Sequence, residues 1–232
     1  MNDNRIGIVA TSRSGSTFVR RKICHVYGLE DSNSWLQKNE YKNIRRFEES
    51  YCLPPQPYIL KILVNYIPEK DFDFILNDMS IIWLWRKDVV RQFISHVVRL
   101  HTKVNHLFEG DEQPQLDDES ITVERGHFDN FVYRQNLFWK AWETYGVIKE
   151  EPLIKFEDFM TNTEAHIERL QDWNWKSEFY GFNKLRKFAF EPWERNQLPH
   201  KIEMNYKKKF TNYDEILKWF KEEKTLLDRV NE

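Results

Sequence analysis

Residues 11 to 17, Thr-Ser-Arg-Ser-Gly-Ser-Thr, gather small hydroxylated side chains, one glycine and one arginine into a single short stretch. Consecutive small residues let backbone N–H groups turn towards a common point. A helix starting there aims its positive end at the same place. That combination makes an anion cradle: Ser14, Ser16 and Thr17 add hydroxyl donors, Gly15 allows the turn, and Arg13 supplies charge. The plainer alternative is a tight strand-to-helix turn with a Ser/Thr cap. An ATP-type loop, GxxxxGK[ST], is absent, because there is one glycine and no lysine after it. A second basic locus runs Trp85-Arg86-Lys87-Asp88-Val89-Val90-Arg91-Gln92-Phe93-Ile94-Ser95. Alone, a basic pair before a helix is an ordinary solvated face. Beyond the carboxyl end of a parallel strand, it becomes a second anion site on the same sheet edge.

Those loci need a scaffold. Ile6 to Ala10 is a compact apolar run, and Phe18, Val19, Ile23, Val26 and Tyr27 recur at helical spacing until Gly28. The pattern predicts strand, loop, helix. After Pro54-Pro55-Gln56-Pro57, Tyr58 to Val64 predicts a second strand, and Ile81 to Trp85 a third. The third leads through Arg86-Lys87-Asp88 into a helix with Val89, Val90, Phe93, Ile94, Val97 and Leu100 as its apolar positions. Leu153 to Phe156 predicts a fourth strand, with a helix near Glu164 to Trp173. A helical pattern covers Phe128 to Tyr145. A terminal helix, opened by a capping-box-like Thr211-x-x-Asp214, runs to about Val230. Unbroken apolar strands separated by helices imply a parallel sheet covered on both faces, in one domain over residues 1–232. Residues 102–126 contain an acidic stretch nearly devoid of apolar side chains, and are expected to form a mobile loop or lid.

Composition narrows the class. The 232 residues hold 35 Lys+Arg against 37 Asp+Glu, which argues against a nucleic-acid binder. Two cysteines, Cys24 and Cys52, supply no disulfide framework and favour a reducing compartment. The longest apolar run is strand-sized and the N-terminus lacks a secretory pattern, so a soluble, cytoplasmic protein without a membrane span is expected. Whether it forms a homodimer stays open. No HExxH occurs, and His96, His101 and His106 do not share a helix face, so no metal is expected. The aromatic residues, nine of them Trp, suit a sugar- or ring-stacking surface as well as a core.

The ordered pair of motifs, Arg13-Ser14-Gly15-Ser16-Thr17 after a strand and Arg86…Ser95 leading into a helix, resembles that of sulfotransferases using 3′-phosphoadenylyl sulfate (PAPS). With the Trp139 helix and Pro152-Leu-Ile-Lys-Phe-Glu-Asp158, it looks most like the bacterial trehalose 2-sulfotransferase type, over about residues 5 to 175. The resemblance implies a P-loop-like three-layer α/β sandwich, its central mainly parallel sheet flanked by helices. It implies that Arg13, Ser14, Gly15, Ser16 and Thr17 hold the 5′-phosphosulfate while Arg86 and Ser95 hold the 3′-phosphate. The product is then 3′,5′-ADP (PAP). Arg86 stands nine residues before Ser95, one more than the family's usual spacing, so Lys87 is a second candidate for the 3′-phosphate, with Arg86 preferred. The cytosolic aryl and steroid enzymes carry Lys-Thr-His where this chain has Lys61-Ile62-Leu63. The family's histidine is therefore missing, and a lysine remains to act with Arg13 near the bridging oxygen.

The implied activity is transfer of a sulfuryl group to a hydroxyl of a carbohydrate or other small acceptor. Trehalose-type enzymes place their catalytic carboxylate shortly after the first helix, so Glu30 is the first choice, with Glu40 and Asp31 as alternatives and His25 an outside candidate. The family's glycine-rich C-terminal cofactor motif is not evident. The basic segment His200-Lys201…Lys207-Lys208-Lys209 either closes over the nucleotide or is a solvated charge run. Two other functions compete: a small-molecule kinase with a degenerate phosphate loop, and a non-catalytic nucleotide-binding protein.

Overall fold

The computed structural model describes residues 5–27, 30–31, 58–66, 80–104, 112, 114–176, 205–223 and 226. Its centre is a five-stranded sheet of β1 (Arg5–Ala10), β2 (Glu30–Asp31), β3 (Tyr58–Leu63), β4 (Ser80–Trp85) and β5 (Leu153–Lys155), ordered β2-β3-β1-β4-β5. Every pairing is parallel. β1 sits in the middle, with Ala10 level with Leu63 on one side and Leu84 on the other. The chain winds away from β1 in both directions, so the order reverses there. In open parallel sheets the crevice outside the carboxyl ends at such a reversal is the ligand edge.

Both faces of the sheet are dry. On one face Ile6, Ile8, Ala10, Ile59, Ile82, Leu84 and Ile154 pack under α1 (Ser16–Tyr27), α4 (Phe156–Thr161) and α5 (Thr163–Lys176). On the other, Val9, Ile62, Ile81, Trp83 and Trp85 pack under Phe138 and Ala141 of α3 (Arg125–Ala141). The result is a three-layer α/β sandwich, as the apolar runs predict. A third cluster ties α3 to α2 (Val89–Thr102) and α7 (Tyr213–Glu222), with Phe93, Phe128, Phe131, Trp219 and Phe220 at its centre. Edge contacts between these rings, such as Phe128–Phe220 at 4.8 Å and Phe93–Phe128 at 5.7 Å, fix how α7 and α2 lie against α3. Among the described residues no helix is long and apolar enough to cross a membrane.

Three local expectations are corrected. The helical pattern from 128 to 145 is not uniform: α3 passes into a π-helical turn, Trp142–Gly146, where a Cβ on Gly146 would collide with the Trp142 indole. The terminal helix does not open on a capping box. Its cap is Asn212, without a side-chain cap bond. The Thr211 hydroxyl is engaged instead with the Thr122 hydroxyl at 2.7 Å and the Ile121 carbonyl at 3.3 Å. Residues 102–126 are also not loose throughout. Ile121 and Val123 are buried, Ile121 bridges to Phe210, and Lys209 of α6 (Tyr206–Lys209) holds Asp118 at 2.7 Å and the Leu116 carbonyl at 2.5 Å. Ile121 and Val123 seat the described residues 114–126 on the third cluster.

Candidate functional site

The loop from Thr11 to Gly15 leaves β1 at the sheet's carboxyl edge, and three elements clamp it. Gln92 of α2 donates to the Thr11 hydroxyl at 2.8 Å and the Ser12 carbonyl at 2.7 Å, and Gln135 of α3 reaches the same hydroxyl at 3.3 Å. From below, Phe156 packs on the Gly15 backbone so closely that a Cβ there would collide with its ring. Gly15 has φ +89° and Arg13 φ +65°. The first is a conformation glycine adopts freely, and the second is sustained by the clamp around it. Phe18 and Val19 then donate to the Gly15 carbonyl at 2.9 and 3.1 Å, and α1 is under way. An opening helix has amides without intrahelical acceptors. Beside them the Ser14 hydroxyl is fully buried, with no hydrogen-bond partner among the described residues. A buried unpartnered hydroxyl in a concave turn of this kind marks a place for an anion or water.

The second locus meets the first. Arg86, at the end of β4, donates through Nη1 to the Arg13 carbonyl at 3.1 Å, and Arg13 donates through Nε to the Ser95 hydroxyl at 2.9 Å. Arg13 therefore points its guanidinium to the Arg86–Ser95 side of the crevice. Lys61, on the face of β3 shared with α1, approaches the Thr17 hydroxyl at 3.4 Å. Burial first, then the charges of Arg99 and Arg86, lower the pKa of Arg13, against a smaller pull from Tyr206. Burial likewise lowers that of Arg86, with Glu157 and Asp88 opposing. Cations are thus gathered and partly desolvated on one edge, an arrangement suited to an oxyanion.

Glu157 sets the position of Arg86. Its carboxylate accepts the backbone N–H of Lys87 at 2.9 Å and of Asp88 at 3.1 Å, and lies 3.7 Å from Arg86 Nε. Asp88 in turn caps α2 by accepting from the Arg91 amide at 2.8 Å. The Arg86 guanidinium lies over the Phe156 ring, 5.5 Å from its centre.

Of the expected site residues, Arg13, Ser14, Gly15, Ser16, Thr17, Lys61, Arg86 and Ser95 come together, and Lys87 is exposed to solvent beside them. Glu30 does not join them. The register sets Glu30 level with Tyr58 and Arg5, and Asp31 level with Ile59. That is the amino-terminal end of the sheet, about 17 Å below the edge where Ala10 and Leu63 end their strands, at about 3.3 Å per residue. The expectation that Glu30 or Asp31 serves the loop is corrected on that ground. Glu40, Cys52, His200 and Lys201 lie outside the described residues. His25 lies on the last turn of α1, also away from the loop. Among the described residues of the basic segment, Tyr206 rather than Lys207 or Lys209 reaches the crevice. Lys207 is paired with Asp214 and Lys209 with Asp118, while half-buried Tyr206 lies within the electrostatic reach of Arg91, Arg13 and Arg86.

Gln92, Gln135, Glu157 and Tyr206 are the residues that sequence reasoning passed over. Gln92 carried a signal: a polar side chain among the apolar positions of α2, one turn before Ser95. The other three acquire their roles from contacts distant in sequence. No protein-family model matches the chain, and no curated protein matches it.

Proposed function

We propose that this crevice binds 3′-phosphoadenylyl sulfate, in a P-loop-like mode, and that the protein is a sulfotransferase acting on a hydroxyl of a carbohydrate or other small molecule. One observation carries the reading: Arg86 donates to the carbonyl of Arg13 while Arg13 donates to Ser95, so the two motif loci share one crevice. The buried Ser14 hydroxyl, unpartnered among the described residues, and the Gly15 turn pressed on Phe156 suit a phosphosulfate against the loop. In this reading Ser14, Ser16, Thr17 and the amides opening α1 hold the 5′ end, and Arg86, Ser95 and Arg13 hold the 3′-phosphate. The donor supplies the sulfuryl group and leaves as 3′,5′-ADP. Lys61, beside Thr17 at the helix opening, serves the charge that develops on the leaving oxygen. The hydroxyl proton goes to a carboxylate other than Glu30. Glu40 is the remaining choice in that part of the chain.

The test compares thermal stabilisation by 3′,5′-ADP, ADP and Mg-ATP. At a concentration a hundredfold above its Kd a ligand adds about 2.7 kcal/mol of stability. Selective stabilisation by 3′,5′-ADP is expected. Equal shifts with ADP overturn the reading, and a larger shift with Mg-ATP replaces it with the kinase. The placement of Glu30 at the far end of the sheet favours one second reading, a nucleotide-binding protein without turnover. Binding of 3′,5′-ADP with no transfer from labelled PAPS across hydroxylated acceptors would select it.

A further inference from the structure

A sulfuryl acceptor has to bring one oxygen to the loop, so the rest of it lies along a wall bordering the loop. One such wall is formed by α2 and α3, which both reach the loop at Thr11 through Gln92 and Gln135. Phe93 packs on Phe131 and Phe128 at 5.2 and 5.7 Å, which fixes the two helices side by side. Going along α2 from Gln92, the next turn presents Ser95 and His96, and the one after it Arg99. Ser95 and Arg99 are four residues apart and share a helix face. Along α3 the neighbour of Gln135 is Arg134, with His127 two turns back.

These groups form one cluster. Arg134, Arg99, Arg13 and His127 all act on His96, and with burial as the leading cause they hold its imidazole at a pKa of about 4. His96 is therefore neutral at pH 7, with one ring nitrogen to donate and one to accept. Its Nδ1 is buried without a hydrogen-bond partner among the described residues, an uncommon state for a polar atom in a folded protein. Guanidinium groups on two helices, converging on a neutral ring with an unused nitrogen, suit a carboxylate, sulfate or phosphate. Arg13 joins this cluster to the 3′-phosphate site assigned above, and Arg99, Arg134 and His96 lie beyond the groups that assignment uses.

We propose that the acceptor is itself an anion, whose carboxylate, sulfate or phosphate is held by Arg99 and Arg134 with His96 on the α2–α3 wall. This rests on the sulfotransferase reading, which makes the molecule beside the loop a sulfuryl acceptor. It narrows the acceptor class to acidic or already esterified sugars and comparable small anions, and turns neutral sugars into poor ligands.

The test uses the full chain saturated with 3′,5′-ADP, so that the nucleotide's own phosphate sites are filled. Sodium sulfate is titrated against sodium chloride at constant ionic strength. The melting temperature is expected to rise saturably, the His96 ring resonances to move with the same midpoint, and the midpoint to weaken about tenfold or more in Arg134→Gln and in Arg99→Gln. Glucuronate is expected to displace sulfate and glucose not to. Sulfate that stabilises only in the absence of 3′,5′-ADP would show these cations to serve the nucleotide and overturns the proposal. An increment equal in wild type and both variants, or glucose competing as well as glucuronate, overturns it too. Each of those results leaves the sulfotransferase reading intact. If 3′,5′-ADP gives no stabilisation beyond that of ADP, that reading falls and the assignment of the anion to an acceptor falls with it.

Discussion

Two glutamates flank β5, and the structure uses them in opposite ways. At its carboxyl end Glu157 stands at the rim of the crevice, half-buried, accepting two backbone amides and facing the Arg86 guanidinium. At its amino end Glu151 is buried against the aromatic face of the sheet, where it accepts from the fully buried Trp83 indole at 2.5 Å. Burial raises the Glu151 pKa to about 7, with the indole bond and Lys149 opposing. One carboxylate meets donors that complement its charge. The other lies where charge is poorly solvated. The rim is built to organise ions, and the underside to exclude them.

The largest expected effect breaks this comparison at Glu151. Its folded pKa lies above the unfolded value, so the folded state retains a proton that the unfolded chain has released. The stabilisation is complete below about pH 4.5 and is lost as pH rises through about 7. A shift of that size corresponds to something on the order of 3 kcal/mol. Glu151→Gln should remove this dependence, so the stability difference between variant and wild type, followed by denaturant unfolding from pH 5 to 8, should grow in favour of the variant up to about pH 7 and level off above it. Parallel curves would mean that Glu151 ionises in place without penalty. Nucleotide binding should be untouched.

At the rim the order of effects reverses. Arg86→Ala removes a charge-assisted contact of about 1.5–3 kcal/mol. It is expected to weaken 3′,5′-ADP by roughly ten- to a hundredfold while leaving ADP nearly unchanged. Equal losses for both nucleotides in calorimetry would remove Arg86 from the 3′-phosphate. Glu157→Gln keeps the shape but loses the charge that anchors the 86–88 turn, and an effect of about tenfold in the same direction is expected. If Glu157→Gln instead weakened ADP as strongly as 3′,5′-ADP, Glu157 would be a general support of the loop rather than the group that positions Arg86.

The difference between the two ends of β5 also shows which parts of the molecule are legible in the sequence. β1, β3 and β4 are mostly apolar runs, β3 interrupted only by Lys61, and each is bounded by residues of another kind, so type and order suffice to find them and to imply a parallel sheet. The loop from 11 to 17 is legible for a related reason: its chemistry is local, carried by small and hydroxylated neighbours in one stretch. Glu30 was misread because a two-residue strand has no periodicity, and only its pairing with Tyr58 reveals which end of the sheet it occupies. Asn212 rather than Thr211 caps α7 because Thr122, 89 residues away, engages the threonine. Gln92 and Gln135 meet at Thr11 across 81 and 124 residues. Glu151 and Glu157 look alike in the chain, and only tertiary neighbours make one an ion partner and the other a buried acid.

The smallest effect sharpens the comparison most, because it concerns a neutral group among the rim's cations. Tyr206 reaches the crevice on α6, whose C-terminal Lys209 is tied to the Leu116 carbonyl and to Asp118. Burial raises the Tyr206 pKa, while Arg91, Arg13 and Arg86 pull it back. The phenol is therefore a neutral hydroxyl placed where cations converge, and a neutral hydrogen bond contributes about 0.5–1.5 kcal/mol. Tyr206→Phe keeps the ring that packs beside the α2–α3–α7 cluster and removes only the hydroxyl. It should weaken 3′,5′-ADP by roughly two- to tenfold, a larger effect than its change in the stability of the free protein. A matching loss of stability would make Tyr206 a packing residue that only happens to lie near the arginines. An unchanged affinity would confine recognition to the loop, Arg86 and Ser95.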